Sequence, residues 1–137
     1  MKRVQNENKI LHLALTAGSL IIVLVIAFLL KPVLKNTQPI DFDLLAIVGL
    51  AFFLLAIFNA YVVFPKKYRA LGSNDQSYAE KLRTLYVSKW SLLEGACLIN
   101  AVLYYVSANR LLIALAITLV MVLYINKPKV FVDGVEQ

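Results

Sequence analysis

Four apolar stretches separated by short polar segments dominate this chain of 137 residues. They are Ile10–Leu30, Leu44–Phe64, Ser88–Val106 and Leu111–Ile125. Each of the first three approaches the roughly 20 residues that a helix needs to cross a bilayer core about 30 Å thick. The fourth has 15 residues, so it must gain length from its flanks or lie where the bilayer is thin. We therefore predict an all-α fold, a polytopic bundle of four transmembrane helices that forms one membrane domain over residues 1–137.

The composition supports a membrane setting, because 61% of the residues are hydrophobic and a soluble domain usually carries about 45–50%. The first stretch follows Lys2, Arg3 and Lys9, as the apolar part of a signal peptide would. It is 21 residues long, however, and it runs into Lys31-Pro32 rather than into a small-residue cleavage site. We interpret it as a retained span.

The net charge of +6 is unevenly distributed along the chain. Eleven Lys and Arg residues lie before the first stretch, between the second and third (counting Lys89 at the start of the third), and after the fourth, whereas three lie in the other two loops. The positive-inside rule then predicts cytoplasmic termini and a cytoplasmic loop at residues 65–87. We expect anionic lipid headgroups as partners of this basic rim, and no nucleic acid. The residues expected to contact headgroups are Lys66, Lys67, Arg69, Lys81, Arg83 and Lys89.

The loop at residues 65–87 is predicted to be a helical hairpin. Lys66–Leu71 continues the second helix for one or two turns, and Ser77 with Glu80 matches a capping box. From Lys81 to Ser107 a single helix is expected, which enters the membrane near Ser88. For the tail Val130–Gln137 two possibilities stay open: it lies along the membrane surface, or it pairs with a partner chain.

Glu94 is the one acidic residue well inside an apolar stretch. Such a position costs about 2.5–3.5 kcal/mol or more unless the carboxyl is protonated, paired or hydrated. Counting residues places Glu94 about 9 Å into the bilayer from Ser88, in its cytoplasmic third. The small pair Ser91 and Gly95 would let another helix approach beside it. Three roles remain open: a structural hydrogen-bonded acid, an acid that reaches the headgroups, and an acid that binds a proton or cation.

Other polar residues could join Glu94 in an ion, proton or interhelical polar site. Cys97 and Asn100 follow it at three-residue intervals along the third helix. Asn59 of the second helix lies at a similar depth, and the first helix contributes polar residues on the same side of the membrane. A hydrogen-bonded layer is therefore available to Glu94, Asn59, and Thr16 or His12.

Catalytic and metal-binding patterns are absent from the sequence. It has no glycine-rich phosphate loop, no H-E-x-x-H motif and no Cys/His spacing for a metal. His12 and Cys97 are the only residues of their types. We therefore predict a protein that is not an enzyme and that needs no metal or other cofactor.

The segment Ala79–Thr84, leading into Leu92–Ala96, resembles the ion-carrying helix of rotary ATP synthase c subunits. In that family a basic cytoplasmic loop precedes a helix with one essential carboxylate flanked by small residues, so the resemblance implies an ion-binding role for Glu94. It covers under a quarter of the chain, and the second helix has only Gly49 where c subunits carry a glycine stripe. We attribute this local likeness to convergence. The whole pattern resembles small uncharacterised four-span inner-membrane proteins of bacteria, which implies the fold and no particular activity.

For function, the sequence favours an accessory or assembly subunit whose surfaces bind other membrane proteins or a second copy of the chain. The first alternative is a small oligomeric transporter, or an ion- or proton-conducting protein, that uses Glu94. The second alternative is a sensor of anionic lipids that uses the basic segment Lys66–Lys89. The three differ in what they require of Glu94 and of the basic loop.

Overall fold

The computed structural model describes residues 2–30, 42–71, 78–128, 131–132 and 135–136. Its helices are α1 (Lys2–Leu24, extended by a π-helical turn at Val25–Leu29), α2 (Phe42–Phe58, extended by a π-helical turn at Asn59–Val63), α3 (Phe64–Arg69), α4 (Tyr78–Ser107) and α5 (Arg110–Ile125). The predicted helical fold is confirmed. The expected single helix over Lys81–Ser107 is also confirmed, whereas Ser77 of the predicted capping box lies outside the described residues.

Three helical segments are long and apolar enough to cross a membrane: Gln5–Leu29, Leu44–Arg69 and Tyr78–Ser107. Helix α5 is apolar but shorter, because its 16 residues extend only about 24 Å at 1.5 Å per residue. Many large apolar side chains point away from the bundle, including Ile10, Phe28, Leu54, Phe58, Met121 and Ile125. An apolar exterior of this kind suits a lipid environment.

Helix α4 is the centre of the bundle and packs against α1, α2 and α5. Its buried residues recur every three or four positions, and Trp90, Leu93 and Cys97 are fully buried. Helix α5 has a buried series at the same spacing: Leu112, Ala116, Leu119 and Leu123. This spacing places one stripe of each helix against the other, which is the pattern of two packed helices.

A short turn connects α4 to α5 as a helical hairpin. Ala108 adopts a left-handed conformation with φ of 57°. The Asn109 side chain then caps α5 by accepting a hydrogen bond from the Leu111 N–H at 3.0 Å. The Ser107 hydroxyl closes the end of α4 by donating to the Leu103 carbonyl at 2.7 Å. The chain therefore reverses direction within two residues.

The described residues of the C-terminal tail form a short ladder that the sequence analysis did not predict. Phe131–Val132 (β1) pairs with Val135–Glu136 (β2) in an antiparallel ladder, so the tail pairs with itself. Val and Phe favour extended backbone, and this satisfies their main-chain hydrogen bonds locally. The ladder is a small addition to a helical fold.

Candidate functional site

A stripe of polar side chains runs along the buried face of α1. Asn8, His12, Thr16 and Ser19 are all buried, and they recur at the spacing of one helical face. The His12 Nε2 atom lies 2.6 Å from the Leu123 carbonyl oxygen of α5, and the Thr16 hydroxyl donates to the His12 carbonyl at 2.8 Å. The first helix is thus attached to the fifth by a polar contact. Sequence reasoning missed Asn8, although its spacing from His12 is the signal that could have found it.

Aromatic rings connect four helices at the end of the bundle where α1 begins. The Trp90 ring lies 5.0 Å from the His12 ring and 5.2 Å from the Tyr86 ring. Tyr86 in turn contacts Phe64 at 5.1 Å between ring centres. The Trp90 indole N–H donates to the Asn126 carbonyl at 2.9 Å. This aromatic cluster therefore joins the start of α1, α3, α4 and the end of α5.

Lys89 lies beside this cluster and differs from the prediction. The sequence suggested an exposed lysine among the headgroups, yet Lys89 is only 7% exposed and its Nζ lies 4.2 Å from the centre of the Phe64 ring. Its side chain packs against the first residue of α3, which covers it. A cleft of about 450 Å³ opens next to it, lined by Ala60, Tyr61, Phe64, Pro65, Tyr68, Arg69, Lys89 and Asn126.

The other basic residues of the predicted headgroup set are exposed: Lys66, Lys67, Arg69, Lys81 and Arg83. Arg83 is also engaged within the protein, since its Nη1 lies 3.1 Å from Glu7 Oε2 of α1. Because both side chains are solvent-accessible, this ion pair contributes at most about 1 kcal/mol. The ion pair connects the first turns of α1 to the first turns of α4.

Glu94 is half-buried at the border of the buried stripe of α4, one turn beyond Trp90. Among the described residues, no hydrogen bond or ion pair reaches its carboxyl group. Asn59 is also half-buried and makes no side-chain hydrogen bond within the same part of the chain. The predicted hydrogen-bonded layer of Glu94, Asn59, and Thr16 or His12 is therefore not formed.

The geometry of α4 explains why this layer does not form among the described residues. Helix α2 approaches α4 at Asn100, whose amide donates to the Gly49 carbonyl at 3.1 Å. Asn100 lies six residues after Glu94, which is about 120° away around the helix. Residue counting gave Asn59 and Glu94 a similar depth, but Glu94 does not lie on the face of α4 that α2 contacts at Asn100.

Cys97 and Asn100 are fully buried and attach α4 to two different neighbours. The Cys97 thiol donates to the Ala116 carbonyl of α5 at 3.4 Å, and Asn100 also donates to the Ala96 carbonyl at 2.9 Å. Neither side chain makes a hydrogen bond to Glu94. Their contacts serve helix packing, and the polar track predicted along the third helix divides into separate contacts.

One face of α4 is left open by the other described helices. Ser91 and Val102 are exposed on it, and a Cβ atom added to Gly95 would find no atom within 4 Å. Glu94 lies at the edge of this face. We call Ser91, Glu94, Gly95 and Val102 the open face of α4. The small pair Ser91 and Gly95 that the sequence indicated is therefore available to another helix.

Within the described residues, no group of three His, Cys, Asp or Glu side chains is arranged to hold a metal ion. No protein-family model, curated protein or solved structure matches the chain. The fold and the site define the protein as a helical bundle with candidate membrane-spanning helices.

Proposed function

We propose that the chain is a four-span protein of the inner membrane with both termini in the cytoplasm. Support comes from the three long apolar helices, the apolar exterior and the excess of basic residues in alternate segments. The aromatic cluster adds to this, because it joins His12 near the start of the first apolar stretch, Phe64 at the end of the second, Trp90 near the start of the third and Asn126 just after the fourth. These are the four chain positions that this topology requires on one side.

Within that topology, we propose that the protein is a non-catalytic accessory or assembly subunit of a larger membrane complex. A transmembrane helix of another membrane protein would bind to the open face of α4. The observation that carries this proposal is Glu94, which is half-buried and unpartnered among the described residues, beside a glycine with open space around it.

Two physical terms favour a helix as the occupant of the open face. Small residues allow helix backbones to approach closely, and close packing drives helix association in lipid. A carboxyl group inside a span costs about 2.5–3.5 kcal/mol, and a hydrogen-bond donor on the incoming helix would offset part of that cost. The expected partner helix therefore presents a Lys, Arg, Asn, Ser or Thr side chain opposite Glu94.

A second candidate rests on the same carboxyl group. If several copies assembled around Glu94, it could bind a proton or a cation on a path across the membrane. The variant Glu94→Gln separates the two functions, because Gln keeps a hydrogen-bond acceptor and adds donors but does not ionise. An accessory role survives this change, whereas proton or cation transport is lost.

The test is to extract the tagged chain in mild detergent at native expression level and to identify what co-purifies. We expect stoichiometric membrane subunits with the wild type and with Glu94→Gln, and a lower yield of them with Glu94→Leu. The matched control is Thr118→Leu, which removes an exposed polar group from α5 and leaves α4 unchanged.

A homogeneous homo-oligomer without other subunits would contradict the accessory role. In that case the wild type and Glu94→Gln are reconstituted in liposomes. Proton or cation flux that only the wild type supports would then establish the transport function instead.

A further inference from the structure

The cleft beside Lys89 has the position and size of a ligand site. It lies between α3, the start of α4 and the end of α5, at the basic end of the bundle. Its volume of about 450 Å³ falls in the range of small-molecule sites. In the four-span topology proposed above, on which this inference rests, that end lies at the level of the lipid headgroups.

The charge of the cleft selects an anion. Two cationic residues line it from different elements, Arg69 at the end of α3 and Lys89 in α4, and the described residues that line it include no Asp or Glu. Arg and Lys are the side chains that recognise phosphate, Arg through paired N–H groups and Lys as a point charge. The Tyr61 hydroxyl and the Asn126 amide, 3.3 Å apart, add polar groups to the same wall.

Lys89 places a buried cation in the wall of the cleft. Removing an ammonium group from water is costly, and the Phe64 ring offsets part of that cost through its negative face. A cation held in this way is also screened by salt less than the exposed lysines nearby.

The surroundings of the cleft favour a lipid over a free phosphate ion. Tyr61 lines the cleft, and Phe58 and Leu54 continue from it along α2 at three- and four-residue spacing, all three more than half exposed. This series leads away from the headgroup level along the spanning helix. It supplies an apolar surface for acyl chains directly below a cationic site.

We propose that this cleft binds the phosphate headgroup of one anionic phospholipid, with Arg69 and Lys89 as its cationic ligands. The full chain is reconstituted in nanodiscs of equal parts phosphatidylglycerol and phosphatidylcholine, and the lipids retained after release are counted by native mass spectrometry. We expect one retained phosphatidylglycerol. Inorganic phosphate at millimolar concentration should not displace it.

Two variants and one control test the residues. Arg69→Gln and Lys89→Gln should each lower the preference for phosphatidylglycerol about fivefold, the loss expected for one cation at a membrane surface. Lys66→Gln removes an exposed cation from the same helical segment outside the cleft, and it should have a smaller effect. Because Arg69 is exposed, its variant is expected to fold even if the buried Lys89 variant does not.

Equal losses for Arg69→Gln and Lys66→Gln would overturn the site and indicate a diffuse basic surface. Displacement by inorganic phosphate would also overturn it, in favour of a soluble anion. Neither outcome bears on the accessory role, which depends on α4 and on co-purification. A failure of the chain to enter nanodiscs at all would instead contradict the membrane topology.

Discussion

Gly49 marks the closest approach between α2 and the centre of the bundle. Its carbonyl accepts the Asn100 amide at 3.1 Å. A Cβ atom at this position would lie 2.6 Å from Asn100 Oδ1 and closer still to Leu112 Cδ2. A larger residue here would therefore force the Leu112 and Asn100 side chains to shift.

Replacing Gly49 with alanine should destabilise the protein by about 1–3 kcal/mol, the usual cost of overpacking a core. The measurement is the melting temperature in detergent. Gly18→Ala is the matched control, because a Cβ there meets no atom within 4 Å and alanine favours the helix. Equal melting temperatures for the two variants would show that α2 does not approach α4 as described.

At the scale of the elements, the sequence was sufficient for the long helices and insufficient for their contacts. The length of α4 followed from its apolar stretch and from the polar segments at each end. The face that α2 presents could not be predicted, because apolar residues surround that helix on every side and periodicity then marks no buried stripe. Glu94 and Asn59 illustrate this: residue counting gave their depth, but it could not give their direction.

The basic and aromatic end shows the same limit at the candidate site. Charge counting found Arg69 and Lys89. The burial of Lys89 over Phe64 required the contact between α3 and α4, which lie in separate parts of the sequence. The cleft was therefore not predictable from the sequence.

The turn between α4 and α5 gives a second stability prediction. Ala108 has φ of 57°, a region that costs an L-residue about 1–2 kcal/mol. Ala108→Gly removes this strain but increases the freedom of the unfolded chain, so a net stabilisation of up to about 1 kcal/mol is expected. A rise in melting temperature would confirm it. The control is Ala114→Gly at an exposed position inside α5, where glycine should lower the melting temperature instead. A fall for both variants would contradict the left-handed turn.

At the scale of the whole molecule, the two proposals use opposite kinds of surface. The open face of α4 carries mostly small, uncharged side chains, with one carboxyl group at its edge, and it suits another helix. The cleft is cationic and lies at the headgroup end, and it suits a lipid. A bound lipid at that end would also hold α3 against α4, next to the aromatic cluster that joins four helices. We therefore predict a subunit that binds a lipid at its headgroup end and a partner helix along the open face of α4.

The most direct test of the accessory role compares Gly95→Leu with Gly18→Leu in tagged chains at native expression level. Both glycines have open space around them within the described protein, so both variants should fold with melting temperatures near that of the wild type. Only Gly95 lies on the open face of α4. We predict that Gly95→Leu loses the co-purifying membrane subunits while Gly18→Leu keeps them. Retention of the subunits by both variants would contradict docking on α4.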